Sequence, residues 1–293
     1  MQITPSNSTM DPSSSQSAQR DQPKDFDDIN LQQLTHIPPR DYQVEALYHS
    51  LNGNIMVCFP TGTGKTLASF MAMRRIANKY PNKLIVFLAP KIVLVDQQCR
   101  QFQESNNFIN YDNKRPIVSM SWNSQVDQYE KEKFQKKFLD KSEKGESYAL
   151  FATPDSFLSL LRRKNKKLLL EDCSLLVFDE AHGASKKHPY AKIMKEFYEP
   201  LPEDKRPTVL ALTASPSGRE DLTETENQLE EICRIFNCTP FMPEIFQEGL
   251  ETAKNKIDIE PIYLEPSQLE IEIKEAINND LEEMFDEHFP DWY

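Results

Sequence analysis

A glycine-containing loop that directly follows a short apolar run restricts the fold of this chain more than any other feature. The loop reads Pro60-Thr61-Gly62-Thr63-Gly64-Lys65-Thr66, and the apolar run before it covers residues 54–59. Backbone amides can converge on phosphate oxygens only where residues tolerate unusual φ and ψ angles, as Gly62 and Gly64 do. Lys65 would place its charge on the terminal phosphates, and the Thr66 hydroxyl would ligate a magnesium ion. The pattern therefore predicts that residues 61–66 bind a nucleotide between a strand and a helix.

The loop departs from the pattern G-x-x-x-x-G-K-[ST] at its first position, where Phe59 stands in place of glycine. A tight strand-to-helix turn without a ligand is the alternative interpretation. The Lys-Thr ending and the strand-like run before the loop favour the phosphate site. The helix that follows would also direct the positive end of its dipole at the phosphates. ATP with Mg²⁺ is the ligand that we expect here.

Two carboxylates, Asp179 and Glu180, follow a second apolar run at residues 175–178. Because Mg²⁺ binds few carboxylates and keeps much of its water, Asp179 is predicted to hold the ion through water. Glu180 is predicted to orient or deprotonate the attacking water. The alternative is an ordinary helix start, with an Asp N-cap and a Glu in the first turn. The loop upstream favours the catalytic interpretation, and the two motifs together predict an ATP-driven motor domain.

Two further pairs of residues could serve the same site. Arg40 and Gln43 are candidates for adenine recognition, because a guanidinium can stack on the ring and an amide can form two bonds to its N6/N7 edge. Thr213 and Ser215 follow a strand-like run, and their hydroxyls are predicted to bond toward the turn at residues 179–182. Without the other motifs, the first pair describes a helix start on the surface and the second an ordinary turn before proline.

Two proline-containing dipeptides, Pro90-Lys91 and Thr153-Pro154, also come directly after strand-like runs. Because the carboxyl ends of parallel strands lie on one edge of a sheet, both dipeptides are predicted to share an edge with the nucleotide site. Hydroxyls, backbone N–H groups and helix N-termini at that edge could hold a nucleic-acid backbone. Each dipeptide alone is a weak indication of such a surface.

Apolar runs of strand length alternate with helix-length segments through residues 25–218. Strands are predicted at residues 54–59, 83–89, 116–122, 147–152, 175–178 and 208–212, and helices at 42–51, 66–80, 91–103, 127–139, 154–161 and 190–197. Strands that are apolar throughout indicate a parallel sheet covered by helices on both faces, which is a doubly wound α/β fold. Ligands of such sheets bind at the carboxyl ends of the strands, where each motif falls.

Both ends of the chain differ in composition from this α/β segment. Residues 1–24 are of low complexity with few large apolar side chains, and we expect them to be disordered. Residues 219–293 are acidic and are expected to form a helical extension. Within it, helices are predicted at residues 222–236 and 270–289, and a proline-containing loop at residues 239–266.

The net charge of −12 and the pI near 5.0 argue against a nucleic-acid-binding protein, which usually carries a basic surface. The charge is uneven, however, because basic runs at residues 131–144 and 162–167 precede a strongly acidic segment after Gly218. The whole-chain charge is therefore compatible with a local basic groove. Each basic run is more simply explained as a solvated helix face.

The five cysteines are scattered and lack paired C-x-x-C spacing, which indicates reduced thiols of an intracellular protein rather than disulfides or zinc ligands. No apolar run approaches the roughly 20 residues of a membrane span. The N-terminus lacks the apolar core of a secretory signal. We expect a protein of the cytoplasm rather than the nucleus, without a membrane partner.

The order of these motifs along residues 40–217 resembles the first RecA-like motor domain of superfamily 2 helicases. The motifs in order are Arg40-Asp41-Tyr42-Gln43, PTGTGKT, FLAPK, ATPD, DEAH and TAS. The chain is most similar to the Dicer-like and RIG-I-like branch. That similarity is carried by Arg40 and Gln43, by the segments at residues 87–91 and 95–98, and by the sequence HPYAKIM at residues 188–194.

The resemblance implies a RecA-like P-loop NTPase fold and an ATP hydrolase of the DEAH-box type that acts on double-stranded RNA, in RNA silencing or RNA sensing. It further implies that His182, Thr213 and Ser215 couple ATP to RNA, and that Lys91 and Thr153 touch the RNA backbone. The branch often has cysteine where this chain has Ala181. That position is not itself catalytic, so the difference should be tolerated.

Superfamily 2 motors bind ATP between two RecA-like domains, and the second domain supplies an arginine finger. No second set of glycine- and arginine-bearing motifs follows in this sequence, so we expect a second RecA-like domain as a partner, in cis or in trans. Because an arginine finger contributes about 10³–10⁵ in rate, the chain alone is expected to bind ATP but to hydrolyse it poorly. The acidic segment after residue 270 resembles the start of the insertion found in Dicer and RNA-sensor helicases.

Two other functions are compatible with the same residues. The first is a DNA-directed superfamily 2 translocase. The second is a non-catalytic half-motor that binds RNA or a protein partner and regulates a full-length relative.

Overall fold

The computed structural model describes residues 30–109, 117–140, 146–163, 168–214 and 222–243, with residues 249, 252, 267, 268, 270, 272–274, 276 and 277. The tail expected at residues 1–24 lies outside the described residues. The chain divides into two compact units, Met1–Asn255 and Lys256–Tyr293. Among the described residues, no helix has the length and apolar character needed to cross a membrane.

A seven-stranded sheet forms the centre of the first unit, and every pair of neighbouring strands is parallel. The strands are β1 (Ile55–Cys58), β2 (Leu84–Leu88), β3 (Val118–Trp122), β4 (Tyr148–Ala152), β5 (Cys173–Phe178), β6 (Thr208–Thr213) and β7 (Thr239–Phe241). Their order across the sheet is β3-β4-β2-β5-β6-β1-β7. The predicted doubly wound α/β fold is confirmed.

Two apolar layers cover the two faces of this sheet. The helices are α1 (Asp41–Asn52), α2 (Lys65–Lys79), α3 (Ile92–Asn106), α4 (Gln128–Asp140), α5 (Pro154–Leu161), α6 (Pro189–Ile193) and α7 (Leu222–Phe236). Side chains of α1, α2 and α3 pack in one layer, and those of α4 to α7 pack in the other. Successive strand residues alternate between the layers, so Ile85 and Phe87 face one layer while Leu84 and Val86 face the other. This arrangement explains why the central strands are apolar at every position.

The end of α7 directs the chain back to the sheet. Asn237 adopts a left-handed conformation with φ 48°. The amide of Cys238 donates to the carbonyl of Cys233 at 3.0 Å, and the amide of Asn237 donates to that of Arg234 at 3.4 Å. These two bonds form a Schellman motif, in which a left-handed residue satisfies the last carbonyls of a helix. The chain therefore leaves the helix abruptly and enters β7.

The prediction that residues 239–266 form a loop is wrong for the first three of them, which form β7, and for residues 249 and 252, which are helical. Pro240 weakened the strand pattern because proline has no N–H to donate to a sheet. Among the described strands, β7 lies at the end of the sheet order and pairs with β1 alone, so the position tolerates proline. The amide of Thr239 donates to the backbone carbonyl of Asn54 at 3.1 Å and starts this pairing.

The side chain of Asn54, directly before the amino end of β1, joins three segments of the chain. Its Nδ2 donates to the hydroxyl of Tyr198 at 2.8 Å and to the carbonyl of Asn237 at 2.9 Å. Its Oδ1 accepts from the amide of Val209 at 2.8 Å. Tyr198 belongs to a single π-helical turn, Met194–Tyr198, that directly follows α6. The helix predicted at residues 190–197 is therefore α in its first part and π in its second.

In the second unit, the described residues 268, 270, 272–274, 276 and 277 are helical. Ser267 and Glu270 form a capping box in front of them. The carboxylate of Glu270 accepts from the amide of Ser267 at 2.7 Å, and the hydroxyl of Ser267 accepts from the amide of Glu270 at 3.3 Å. The predicted helix thus starts slightly earlier than residue 270, and its predicted end at residue 289 lies outside the described residues.

Candidate functional site

Three neighbouring strands bring the main sequence motifs to one edge of the sheet. β6 lies between β5 and β1, with Cys58 opposite Thr213 and Phe178 opposite Ala211. The glycine loop follows β1, the carboxylate pair follows β5, and Thr213 ends β6. Residues that are far apart in the sequence therefore meet at the carboxyl ends of adjacent strands, as the fold prediction required.

The glycine loop has the backbone conformation that its sequence predicts. Gly62 and Gly64 have positive φ angles of 81° and 90°. The ammonium group of Lys65 lies against the loop and donates to the carbonyl of Phe59 at 2.8 Å and to that of Pro60 at 3.3 Å. Lys65 is also the first residue of α2. The loop thus combines two exposed residues, 61 and 62, with a cation and a helix N-terminus.

Phe59 explains why glycine is not needed at the first position of the loop motif. Its amide donates to the carbonyl of Thr213 at 3.2 Å and continues the strand pairing of β1. Its side chain is fully buried and meets the ring of Tyr42 edge-on, with the centroids 5.2 Å apart. The turn that needs left-handed residues begins only at Gly62.

Arg40 and Gln43, the candidates for adenine recognition, are connected to the glycine loop. Gln43 is buried, and its Nε2 donates to the carbonyl of Thr63 at 2.9 Å. Its Oε1 accepts from the amide of Arg40 at 2.8 Å. The guanidinium of Arg40, an exposed residue, donates to the hydroxyl of Tyr42 at 2.9 Å, and that hydroxyl donates to the carbonyl of Thr63 at 2.7 Å. These bonds join the start of α1 to the middle of the loop.

Sequence reasoning missed the role of Tyr42. Its position between Arg40 and Gln43 could have suggested a contact with the glycine loop. An aromatic residue at helical spacing is, however, typical of a core position. The ring is indeed buried, and only its hydroxyl reaches the loop. Thr63, which is fully buried, receives bonds from both Tyr42 and Gln43 and donates its own hydroxyl to Pro60 at 2.7 Å.

Asp179 and Glu180 lie in a tight turn directly after β5, which we call the acid turn. The amide of Asp179 donates to the carbonyl of Leu88 at 2.8 Å. Glu180 has a φ of 50°, which is unusual for a residue with a Cβ and indicates local strain. Asp179 Oδ1 accepts from the amide of Glu180 at 3.1 Å, and a three-residue 3₁₀ turn, Ala181–Gly183, follows. This geometry does not fit an ordinary N-cap, whose side chain accepts from an amide two or three residues further on.

Burial favours the neutral forms of Asp179 in the acid turn and of Lys65 in the loop. Burial, followed by repulsion from Glu180, raises the pKa of Asp179 to about 6. Burial lowers the pKa of Lys65, while the charges of Glu180 and Asp179 act in the opposite direction. Because each of these interactions requires proximity, the acid turn and Lys65 belong to one electrostatic site.

The residues of this site fit a magnesium ion bound together with phosphates. The raised pKa of Asp179 means that its negative charge is poorly compensated by the protein alone. Thr66 follows Lys65 in the first turn of α2 and supplies a hydroxyl near the loop. In the part of the chain that is described, no group of three or more His, Cys, Asp or Glu side chains could hold a metal. Mg²⁺ fits such a site because it needs only one or two carboxylates when phosphates and water complete its shell.

The turn after β5 is joined to the end of β6 by His182. Its Nδ1 lies 3.2 Å from the hydroxyl of Thr213 and 3.3 Å from a carboxylate oxygen of Glu180. The structure therefore brings together two of the three residues predicted to couple nucleotide to nucleic acid. Ser215, the third, lies outside the described residues.

The four residues predicted to contact nucleic acid differ in exposure. Pro90 and Lys91 are exposed and precede α3, and Thr153 is partly buried and precedes α5. Lys91 and Thr153 come after the carboxyl ends of β2 and β4, which are parallel neighbours. They therefore lie at the same ends of the strands as the glycine loop, which follows β1. Pro154 is buried in the first turn of α5, and its contact with nucleic acid stays a prediction. Proline at this position is explained by its preference for the first turn of a helix.

The sequence pattern of the DEAD/DEAH box helicase family matches residues 40–224. The chain belongs to this family. The match includes the glycine loop, the acid turn and the end of β6. The resemblance and the fold that the sequence predicted are therefore confirmed.

Several curated relatives are Dicer proteins. The chain is 28% identical to Endoribonuclease Dicer homolog 1 of Arabidopsis thaliana over 81% of this chain and 12% of that protein. It is 34% identical to Endoribonuclease Dicer homolog 3b of Oryza sativa subsp. japonica over 64% of this chain and 11% of that protein. Dicer-like protein 1 of Neurospora crassa is 28% identical over 78% of this chain and 14% of its own length. The chain thus spans a small part of the length of these relatives.

Among solved structures, the helicase domain of Pyrococcus furiosus Hef matches with a TM-score of 0.56. The two chains are 24% identical, and the match covers 85% of this chain and 46% of the other. At that identity the likeness supports the helicase fold alone.

Replacement of Gly64 by alanine should destabilise the protein. The φ of 90° is unfavourable for any residue with a Cβ, and the added methyl group would overlap the buried Nε2 of Gln43. We expect a loss of roughly 1–3 kcal/mol in the free energy of unfolding, measured in urea. Gly53→Ala is the control, because Gly53 is extended with a φ of 177° and has no atom within 4 Å of the added Cβ. Equal stability of the two variants would contradict the interpretation.

The stability of the nucleotide-free protein should depend on the ionisation of Asp179. The folded state raises this pKa from 3.8 to about 6, so it binds the proton more tightly than the unfolded chain does. The contribution of Asp179 to stability is therefore expected to fall as pH rises from 4 to 6 and to change little above that range. Asp179→Asn removes the cost of ionisation, and its advantage over the original protein should grow by on the order of 2 kcal/mol across this window. Urea unfolding at several pH values tests this, and a constant difference would contradict it.

Proposed function

We propose that this chain is the ATP-binding half of an RNA helicase or translocase, which couples ATP hydrolysis to the binding of double-stranded RNA. The observation that carries the proposal is the meeting of the glycine loop and Lys65 with the Asp179–Glu180 turn, at the ends of β1 and β5 on either side of β6. The loop, with positive φ at two glycines, and the nearby cation suit the phosphates of a nucleotide. The carboxylate of Asp179, whose charge the protein does not neutralise fully, suits a divalent ion bound with them.

The chain's own residues would take separate roles in hydrolysis. Magnesium ATP, when bound, supplies the γ-phosphoryl group and the charge that neutralises it. The amides of residues 61–66 and the ammonium of Lys65 would bind the phosphates. Thr66 and Asp179 would hold the ion, and Glu180 would orient the attacking water and accept its proton. Arg40 and Gln43 would bind adenine next to the loop that they already contact.

Duplex RNA is the proposed nucleic acid because the family resemblance implies it and because the similar proteins include Dicer proteins. Lys91 and Thr153 would contact its backbone at helix N-termini on the edge that also holds the nucleotide. His182 and Thr213 would transmit the nucleotide state, since their contact joins the acid turn to the end of β6. A second RecA-like domain, in cis or in trans, would complete the site and supply an arginine.

Substitutions at Lys65 and Glu180 should separate binding from turnover. Lys65→Ala is expected to weaken ATP binding by about tenfold or more, because it removes a charged hydrogen-bond donor from the phosphates. Glu180→Gln is expected to keep binding while lowering turnover by about 10²-fold or more. Binding is measured with a fluorescent ATP analogue and turnover by phosphate release. Lys79→Ala, at the exposed end of the same helix, should change neither. Unchanged affinity in Lys65→Ala would overturn the assignment of the phosphate site.

The choice of nucleic acid is tested by ATP turnover of this chain with duplex RNA, with duplex DNA of the same sequence and length, and with neither. We expect stimulation by the RNA alone. Equal or greater stimulation by the DNA would instead identify a DNA-directed translocase. ATP binding without stimulation by either duplex, both for the chain alone and after addition of a second RecA-like domain, would identify a non-catalytic half-motor.

A further inference from the structure

Tyr190 lies in α6, within the sequence HPYAKIM, and its hydroxyl contacts the acid turn, a contact to which the sequence analysis assigned no role. The side chain is 1% exposed, and its hydroxyl oxygen lies 2.9 Å from the carbonyl oxygen of Asp179 and 3.1 Å from that of Leu88. The amide of Asp179 also donates to Leu88, at 2.8 Å. The hydroxyl therefore lies where the ends of β2 and β5 meet the acid turn.

The carbonyl of Asp179 is an important acceptor because it belongs to the peptide group that joins the two carboxylate residues. The orientation of this peptide group depends on the ψ angle of Asp179 and the φ angle of Glu180. Glu180 has a φ of 50°, a conformation that is unfavourable for a residue with a Cβ. A donor that holds the Asp179 carbonyl thus opposes relaxation of the turn and sets the direction in which both carboxylates leave the backbone.

The ring of Tyr190 is itself firmly placed. It meets the ring of Phe178 edge-on with centroids 5.0 Å apart, and that of Phe236 in α7 at 5.9 Å. The amide of Tyr190 donates to Nδ1 of His188 at 3.2 Å, which fixes the start of α6. Phe178 is the residue before Asp179, so Tyr190 contacts the chain at two consecutive positions leading into the turn. Close packing on this scale leaves the hydroxyl little freedom to move away.

The hydroxyl of Tyr190 faces two backbone carbonyls, which can only accept hydrogen bonds, so it acts as the donor in this contact. Its one hydrogen can bond to either carbonyl, and both carbonyls belong to the same junction of strand ends.

We propose that Tyr190 is a positioning residue for Asp179 and Glu180, which holds the strained peptide between them in the orientation that magnesium and water require. This inference rests on the proposed function, in which the two carboxylates hold Mg²⁺ and activate water. Tyr190 would not touch the nucleotide. Its loss should therefore weaken the magnesium-dependent part of nucleotide binding and leave the magnesium-independent part unchanged.

The experiment compares Tyr190→Phe with Tyr198→Phe. Tyr198 is a matched control because it is 2% exposed, lies in the turn directly after α6, and accepts a bond from Asn54 at 2.8 Å far from the acid turn. Each substitution deletes one buried hydroxyl and keeps the ring. Urea unfolding of both variants first measures the general cost of losing such a bond.

The first measurement is amide hydrogen exchange of residues 179–184 in the nucleotide-free protein. The Gly183 and Ala184 amides bond within this turn, to Glu180 and Ala181. We expect exchange there to be roughly tenfold faster in Tyr190→Phe, since a buried carbonyl loses its donor, and unchanged in Tyr198→Phe. The second measurement is the affinity for a fluorescent ATP analogue with Mg²⁺ and with a chelator. Tyr190→Phe should reduce the gain that Mg²⁺ provides by roughly tenfold and should not change affinity in the chelator.

The possible results separate the inference from the proposed function. If the original protein gains affinity from Mg²⁺ and the two variants behave alike in both measurements, the role of Tyr190 is refuted and the proposed function stands. If the original protein does not bind the analogue in either condition, the proposed function fails and the positioning role fails with it. An equal loss of affinity with and without Mg²⁺ in Tyr190→Phe would show a general structural role and would also overturn the inference.

Discussion

Opposite charges that are partly withdrawn from water dominate the candidate site. Burial pushes Lys65 toward its neutral amine and Asp179 toward its neutral acid, and their mutual attraction only partly offsets this effect. The protein therefore maintains a cation and a carboxylate pair that are incompletely compensated by one another. A ligand that brings both phosphate oxygens and a divalent cation would satisfy both groups at once. The free-energy cost of burying these charged groups is offset by the close packing of the sheet, which is buried on both faces.

Uncharged groups hold the charged ones in place. Thr63 in the loop is bonded by Tyr42 and Gln43, and the carbonyl of Asp179 is bonded by Tyr190. Buried neutral hydrogen bonds fix geometry without neutralising a charge, so Lys65 and the carboxylates stay available to a ligand. The two supports come from opposite faces of the sheet, because Tyr42 packs with one apolar layer and Tyr190 with the other.

The central strands and the main motifs could be predicted from the sequence because their signals are local. A run that is apolar at every position indicates a strand buried on both faces, and a glycine loop after such a run has few structural solutions. β7 was not predicted, since its three residues include Pro240 and its pairing depends on a strand far away in the sequence. Burial of Pro154 and the roles of Tyr42 and Tyr190 could not be predicted for a related reason. Each depends on which surfaces meet after folding, and an aromatic residue at helical spacing indicates only a core position.

The position of β1 within the sheet has a consequence for how the chain is made. Its neighbours are β6 and β7, so Ile55 pairs with Leu210 on one side and with Thr239 on the other. During translation, β1 and the glycine loop leave the ribosome long before either neighbour exists. A nascent chain that ends before β6 would expose both edges of an apolar strand, which is a state that favours aggregation and chaperone binding. A nucleotide bound by the loop, as proposed above, would therefore assist folding only late in synthesis, after β6 and β7 have enclosed β1.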